Sequence, residues 1–208
     1  MSKTPAIKCL LLDIGGVLLT DGWSHEAGKR TARAFGLDPE DLNIRHAQAL
    51  DTYELGKLSM DEFLRLVVFH EKRAFTPAQF RNVMYAQSKA YPEMIALIRQ
   101  IKVQYGLRVV VVSNEGRGLN EYRIRKFKLD EFVDSFVSSC YVSLRKPDAD
   151  IFRVALDTAQ MSADRVVFID NTPMFVSVAT SLGIHGLLHT DYPSTRAKLA
   201  SIGLEIVG

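Results

Sequence analysis

The sequence predicts an α/β protein, a doubly wound parallel sheet interrupted near its start by a block of helices. Three observations carry this. Short β-branched and leucine-rich runs alternate with helical patterns, the runs are apolar at consecutive positions, and residues 20–88 hold helical patterns alone. Continuous apolar runs are expected of strands whose two faces are both covered by helices, whereas a half-exposed strand alternates.

The first strand is IKCLLL (7–12), which runs into Asp13 and the pair Gly15–Gly16. Next comes the all-helical block, where SMDEFLRLVVFHEKRAF opens on a Ser59/Glu62 capping box and TPAQFRNVMYAQSKA carries Pro77 at a helix start. This block is too long for one crossover and reads as an inserted helical cap. The expected division is 1–19 and 89–208 for the core and 20–88 for the cap. A helix over 92–105 stops at Gly106, and the strand LRVVVV (107–112) then leads to Ser113. A helix over 119–128, a weaker strand in FVDSFVSS (132–139) and a helix over 148–160 follow. The strand RVVFI (165–169) delivers Asp170, a helix over 173–182 stops at Gly183, and IHGLL (184–188) leads to His189.

With 208 residues, 47% of them apolar and 24% charged, and a net charge of +2, the chain has an ordinary soluble composition. That balance gives no reason to expect nucleic acid or an acidic membrane as partner. Cys9 and Cys140 sit in or beside apolar runs, which suggests buried spectator thiols and a reducing compartment. The N-terminal MSKTPAIK lacks a long apolar segment and no apolar run approaches 18 residues, so the expectation is a cytosolic (cytoplasmic) protein without signal peptide or membrane span.

In open α/β sheets the ligand crevice lies beyond the carboxyl ends of the strands, where Asp13, Ser113 and Asp170 each sit. RKPDADIF adds Lys146 ahead of a helix start. Together these make an anion-transfer site. Asp13 could attack phosphorus or carbon, Ser113 and Asn114 could hydrogen-bond the equatorial oxygens, and Lys146 could neutralise the developing charge. Asp170 adds a second carboxylate, and two such charges about 4 Å apart repel by about 4 kcal/mol at an effective dielectric of 20. Mg²⁺ would resolve that imbalance, with oxygen donors from Asp13, the Gly15 carbonyl, Asp170 and, through water, Asn171. Other motifs fail: GWSHEAGKR has five residues between its glycines and Arg30 in place of Ser or Thr, so it is no P-loop. His25, His46, His70, His185 and His189 show no ligand spacing.

The ordered set DIGGVL, VSN, RKP and FIDN resembles the haloacid dehalogenase-like (HAD) hydrolase superfamily, in its subclass with a helical cap after the first strand. YELGKLSMDEF (53–63) is similar to the cap helices of that subclass, especially in sugar-phosphate phosphatases and the phosphatase domain of epoxide hydrolases. The resemblance implies a Rossmann-like core, Asp13 as covalent nucleophile, Ser113 and Asn114 as the second motif, Lys146 as the third and Asp170 as the metal-binding fourth. It also implies Mg²⁺ as cofactor and a small-molecule phosphate ester as substrate. Two departures stand out. Most phosphatases of the superfamily carry an acid two residues after the nucleophile, where this chain has Gly15, and often paired acids in the fourth motif, where Asp170 is followed by Asn171. General acid–base help is worth about 10²–10⁴-fold, so substrates with poor leaving groups should suffer most unless Thr20, Asp21 or His25 stands in.

The function expected is that of a Mg²⁺-dependent phosphatase working through an aspartyl-phosphate at Asp13. One alternative is a 2-haloacid dehalogenase, since a halide leaves without a proton and the Ser113–Asn114 pair resembles that of those enzymes; Asp170 speaks against it, because they work without metal. The other is a phosphate-binding regulatory module that has lost turnover, favoured by the two missing acids and disfavoured by the joint presence of Asp13, Ser113, Lys146 and Asp170.

Overall fold

The computed structural model describes residues 7–206 apart from Ser24 and the side chain of His25. Its sheet has five parallel strands: β1 (Cys9–Leu12), β2 (Arg108–Ser113), β3 (Ser135–Ser138), β4 (Val166–Asp170) and β5 (His185–Leu188), in the order β3-β2-β1-β4-β5. Every run read as a strand is one, including the weak fifth. β1 is central and pairs on both sides, Leu12 lying opposite Val111 of β2 and Ile169 of β4. The residues that follow these partners therefore emerge together at one edge of the sheet, and Asp13 N–H still donates to the Ile169 carbonyl at 3.0 Å.

The helices are α1 (His25–Ala34), α2 (Pro39–Glu54), α3 (Met60–Val67), α4 (Pro77–Ala86), α5 (Pro92–Tyr105), α6 (Arg117–Lys126), α7 (Ser139–Val142), α8 (Ala149–Ala159), α9 (Pro173–Ser181) and α10 (Tyr192–Ser201). Their ends follow local chemistry. Ser59 and Glu62 close a reciprocal capping box on α3, and Thr76 and Gln79 do the same for α4 around Pro77. Gly106 ends α5 in the left-handed conformation at φ 62°.

Both faces of the sheet are covered, which explains the unbroken apolar runs. Leu10, Leu12, Val109, Val111, Val167 and Ile169 pack with Met94, Leu97, Ile98 and Ile101 of α5 and Leu199 of α10. Their neighbours Cys9, Leu11, Val110, Val112, Val166 and Phe168 face the other way, onto Ile151, Phe152 and Ala155 of α8 and Ala179 of α9. Two elements were not anticipated. Only Thr195 and Leu199 of α10 are buried, too few to mark a stripe, and α7 is a single turn. α6 starts two residues ahead of the expected 119–128, at Arg117 after Gly116.

Helices α1 to α4 gather a core of their own from Leu42, Phe63, Leu64, Val67, Phe80 and Met84, which Leu119 of α6 joins. Each fully buried side chain of this size stabilises by about 1.5–3 kcal/mol. The chain enters and leaves this layer side by side. Thr20 N–H donates to the Lys89 carbonyl at 2.8 Å, Lys89 N–H donates to Thr20 Oγ1 at 3.0 Å, and Thr20 Oγ1 donates to the Gln87 carbonyl at 2.8 Å.

Candidate active site

Beyond Leu12 the chain turns back on itself, with Leu18 and Leu19 N–H groups donating to the Ile14 carbonyl and Gly16 N–H to the Leu19 carbonyl. The two glycines divide the work unequally. Gly16 has φ +71°, and a Cβ there would lie 2.0 Å from Asn171 Nδ2, so both its conformation and its neighbour demand glycine. Gly15 lies outside the left-handed region, and a Cβ there would meet nothing nearer than Asp21 Oδ1 at 3.4 Å. The sharp turn after Asp13 thus rests on Gly16 alone, and nothing in the backbone requires glycine at position 15.

Asp13 Oδ1 accepts from Ile14 N–H at 2.8 Å and from Lys146 Nζ at 3.1 Å. The same ammonium donates to Asp170 Oδ2 at 2.6 Å, while Asp170 Oδ1 accepts from Thr172 N–H at 2.7 Å. Lys146 and Asp170 are 1% and 0% exposed, so this is a buried cluster of two carboxylates and one ammonium. Burial opposes the Lys146 charge, but Asp13 and Asp170 outweigh it and the lysine pKa is raised. Burial, then the Asp13 charge, raise Asp170 above the usual carboxylate range, with Lys146 only partly offsetting them. One cation for two anions leaves a negative excess. Hard carboxylate oxygens from neighbouring strands, with that excess, fit Mg²⁺, which needs few protein ligands and keeps several waters.

Ser113 ends β2, is buried and lines the same cavity. Asn114 lines it too, and its amide grips the next loop: Nδ2 donates to the Lys146 carbonyl and Oδ1 accepts from Lys146 N–H, both at 2.9 Å. This two-way clasp fixes the Lys146 backbone beside β2. Asn171 also faces the cavity, packed against Gly16.

The cavity has a volume of about 350 Å³ and is walled by the helical layer as well as the sheet edge. Trp23, His46, Tyr53 and Phe63 line it, with Trp23 stacked on His46 at 5.8 Å and Tyr53 on Phe63 at 4.4 Å between ring centroids. Burial pushes the His46 pKa down to about 4, so its ring is neutral at pH 7. Glu54, raised by burial and held down in part by Arg145, forms an ion pair with Arg145 Nη2 at 2.6 Å and ties α2 to the loop that carries Lys146.

Two residues that the sequence reading did not single out sit at the heart of the site. Arg123 of α6, 1% exposed, forms an ion pair with Glu115, donates from Nε to Ser88 Oγ at 3.0 Å and from Nη2 to the Thr20 carbonyl at 2.8 Å. It therefore pins both linkers of the helical layer to α6. Burial pushes the Glu115 pKa up to about 7, against the pull of Arg123. Glu115 directly follows the VSN motif and could have been flagged for that; Arg123 carries no sequence signal. Among the three stand-ins considered for an acid at position 15, Thr20 is spent on pairing the linkers, the His25 side chain lies outside the described residues, and Asp21 lines the cavity. The Asp21 pKa is raised by burial and by Asp13, against Arg123. Cys9 and Cys140 are buried free thiols whose pKa values burial pushes up to about 12, so they are inert as expected.

A doubly wound sheet that brings two carboxylates, a hydroxyl and a buried ammonium to one edge, over a cavity, defines an α/β enzyme. The chain matches the family model of haloacid dehalogenase-like hydrolases over residues 7–183 and belongs to that family. It is 28% identical over 204 residues to the acyl-CoA dehydrogenase family member 10 of Mus musculus, covering 92% of this chain but only 18% of that protein's length. It is 23% identical over 198 residues to the phosphorylated carbohydrates phosphatase of Thermotoga maritima, covering 88% of this chain and 87% of that one. A haloacid dehalogenase is also among its relatives at low identity. The fold is that of a HAD family enzyme from Bacteroides thetaiotaomicron solved in complex with magnesium and inorganic phosphate, at a TM-score of 0.74 and 21% identity, over 89% of this chain and 95% of that one.

Proposed function

We propose that this hydrolase is a Mg²⁺-dependent phosphatase that transfers the phosphoryl group of a small phosphorylated metabolite to Asp13 and then to water. The observation that carries the reading is the shared lysine: Asp13 and Asp170 leave adjacent strands and divide one buried ammonium, 3.1 and 2.6 Å from Lys146 Nζ. A dehalogenase that works without metal needs no second carboxylate as a metal ligand, whereas a metal-assisted phosphatase does. The phosphatase and the magnesium–phosphate complex among the similar proteins point the same way.

In this reading Asp13 is the nucleophile, held in place through Oδ1 by Ile14 N–H and Lys146, and its other oxygen forms the bond to phosphorus. Lys146 stays charged and stabilises the negative charge on the transferring group; the Ser113 hydroxyl donates to an equatorial oxygen. Asn114 has a second part to play beside the one expected from sequence: its amide fixes the Lys146 backbone. Asp13, Asp170, the Gly15 carbonyl and Asn171 would hold Mg²⁺, which when bound neutralises the carboxylate excess and polarises the phosphoryl oxygens. Helices α1 to α4, residues 20–88 with their linkers, act as the cap that closes the cavity, and its 350 Å³ suits a small metabolite. A screen of phosphorylated metabolites with and without Mg²⁺ tests this, with Asp13→Asn as control. Mg²⁺-dependent turnover abolished by Asp13→Asn is expected. Full activity of that variant, or undiminished turnover in excess chelator, would overturn the reading.

A further inference from the structure

We infer that Asp21, on the linker into the helical layer, is the proton donor and acceptor of this site, filling the space left by the missing side chain at position 15. This rests on the phosphatase reading above. A side chain at position 15 would place its Cβ 3.4 Å from Asp21 Oδ1, 3.8 Å from Arg123 Nη1 and 3.9 Å from Asp21 Cα, so the linker passes beside Gly15 and the Asp21 carboxyl group stands in van der Waals contact with the place where an acid at 15 would start. Gly15 thus makes room; its conformation would accept an L side chain. Asp21 also lines the cavity together with Asp13.

The linker is fixed. Thr20, one residue earlier, is bonded to Lys89 and Gln87 and receives the Arg123 guanidinium on its carbonyl at 2.8 Å. On the other side, a Cβ on Gly22 would lie 2.6 Å from Leu119 and 2.7 Å from Arg123 Nη2, so the chain passes close over α6 there. Asp21 is held between two anchored neighbours and is a catalytic residue set on the cap side of the site, where the family pattern puts its acid on the core.

The proton balance is simple. As the bond between Asp13 and phosphorus forms and the ester P–O bond breaks, the Asp21 carboxyl proton passes to the departing alkoxide. In the second step the Asp21 carboxylate takes a proton from water as its oxygen attacks phosphorus, the Asp13–phosphorus bond breaks, and inorganic phosphate leaves with both aspartates restored to their starting states.

The test is Asp21→Asn in the full chain with Mg²⁺, read on an alkyl phosphate and on p-nitrophenyl phosphate, in steady state and in the first turnover. Alkyl phosphate cleavage should fall about 10²–10⁴-fold, with a much smaller loss in the first turnover of the aryl ester, whose leaving group needs no proton. A nitrophenolate burst, absent in the wild type, should appear in the variant because the phosphoenzyme lacks its base. Gly15→Asp added to Asp21→Ala, which clears that space, should recover part of the alkyl activity. Equal losses on both esters without a burst would make Asp21 a scaffold residue and overturn the inference, as would a burst already present in the wild type; the phosphatase reading would survive either. A wild type that hydrolyses neither ester nor any phosphorylated metabolite would overturn the reading itself and the inference with it.

Discussion

Replacing Lys146 by Met removes the one positive charge shared by Asp13 and Asp170 while keeping most of the side-chain volume. At 3.1 and 2.6 Å from Nζ, each attraction is about 5–6 kcal/mol at an effective dielectric of 20, before the desolvation that opposes it. Breaking a buried pair on one side costs about 3–5 kcal/mol net, so that is the loss expected at pH 8. The pH dependence has a definite sign. Without the ammonium the folded-state carboxyl pKa rises still further above its unfolded value of about 3.9, and the folded protein retains a proton that the unfolded chain has released. Stability of the variant relative to wild type therefore falls as pH rises from the already raised folded pKa of the wild type toward the higher one of the variant. Urea unfolding at pH 5 and pH 8 measures this, and the deficit should be smaller at pH 5. Added Mg²⁺ should raise the melting temperature of the variant more than that of the wild type, because the cation then supplies the positive charge that the carboxylates have lost. A variant as stable as wild type at both pH values would refute the claim that the ammonium holds these anions together, and the charge-excess argument for a metal would fall with it.

Three further substitutions have definite expected outcomes. Gly16→Ala should cost about 1–3 kcal/mol in thermal or urea unfolding and raise the Mg²⁺ concentration needed for activity, since φ +71° disfavours an L side chain and Asn171 must move aside. Gly15→Ala, in ordinary contact with its surroundings, should stay within about 0.5 kcal/mol of wild type. Arg123→Met should cost about 3–5 kcal/mol by leaving Glu115 buried without its partner, and because the Glu115 pKa already stands at about 7 the deficit should grow as pH rises from 5 to 8, measured by chemical denaturation.

Sequence alone determined the strands, their flanking helices and the residues at the strand ends. Those features are local: both faces of a doubly wound sheet are dry, so each strand is apolar throughout, and caps such as Ser59–Glu62 and Thr76–Gln79 lie within four residues of one another. Where the local signal was faint, as in α10 with two buried residues, the element was missed. Asp13, Ser113 and Asp170 were legible because a charge or hydroxyl ending an apolar run has few reasons to be there, and Lys146 because it stands beside a proline ahead of a helix start. The tertiary structure decided what these groups touch. It showed that Asn114 clasps Lys146, that Gly16 and not Gly15 makes the turn, and that Trp23, His46 and Tyr53 from the helical layer wall the cavity. It also set Arg123 against Thr20, 103 residues away in sequence. Contacts of that kind come from closing long stretches of chain around a shared core, and no short-range pattern encodes which side chains then meet. Asp21 is the clearest case: in sequence it is one of three stand-ins for an acid at position 15, and only the passage of its linker beside Gly15 brings its Oδ1 to 3.4 Å from where a Cβ there would lie.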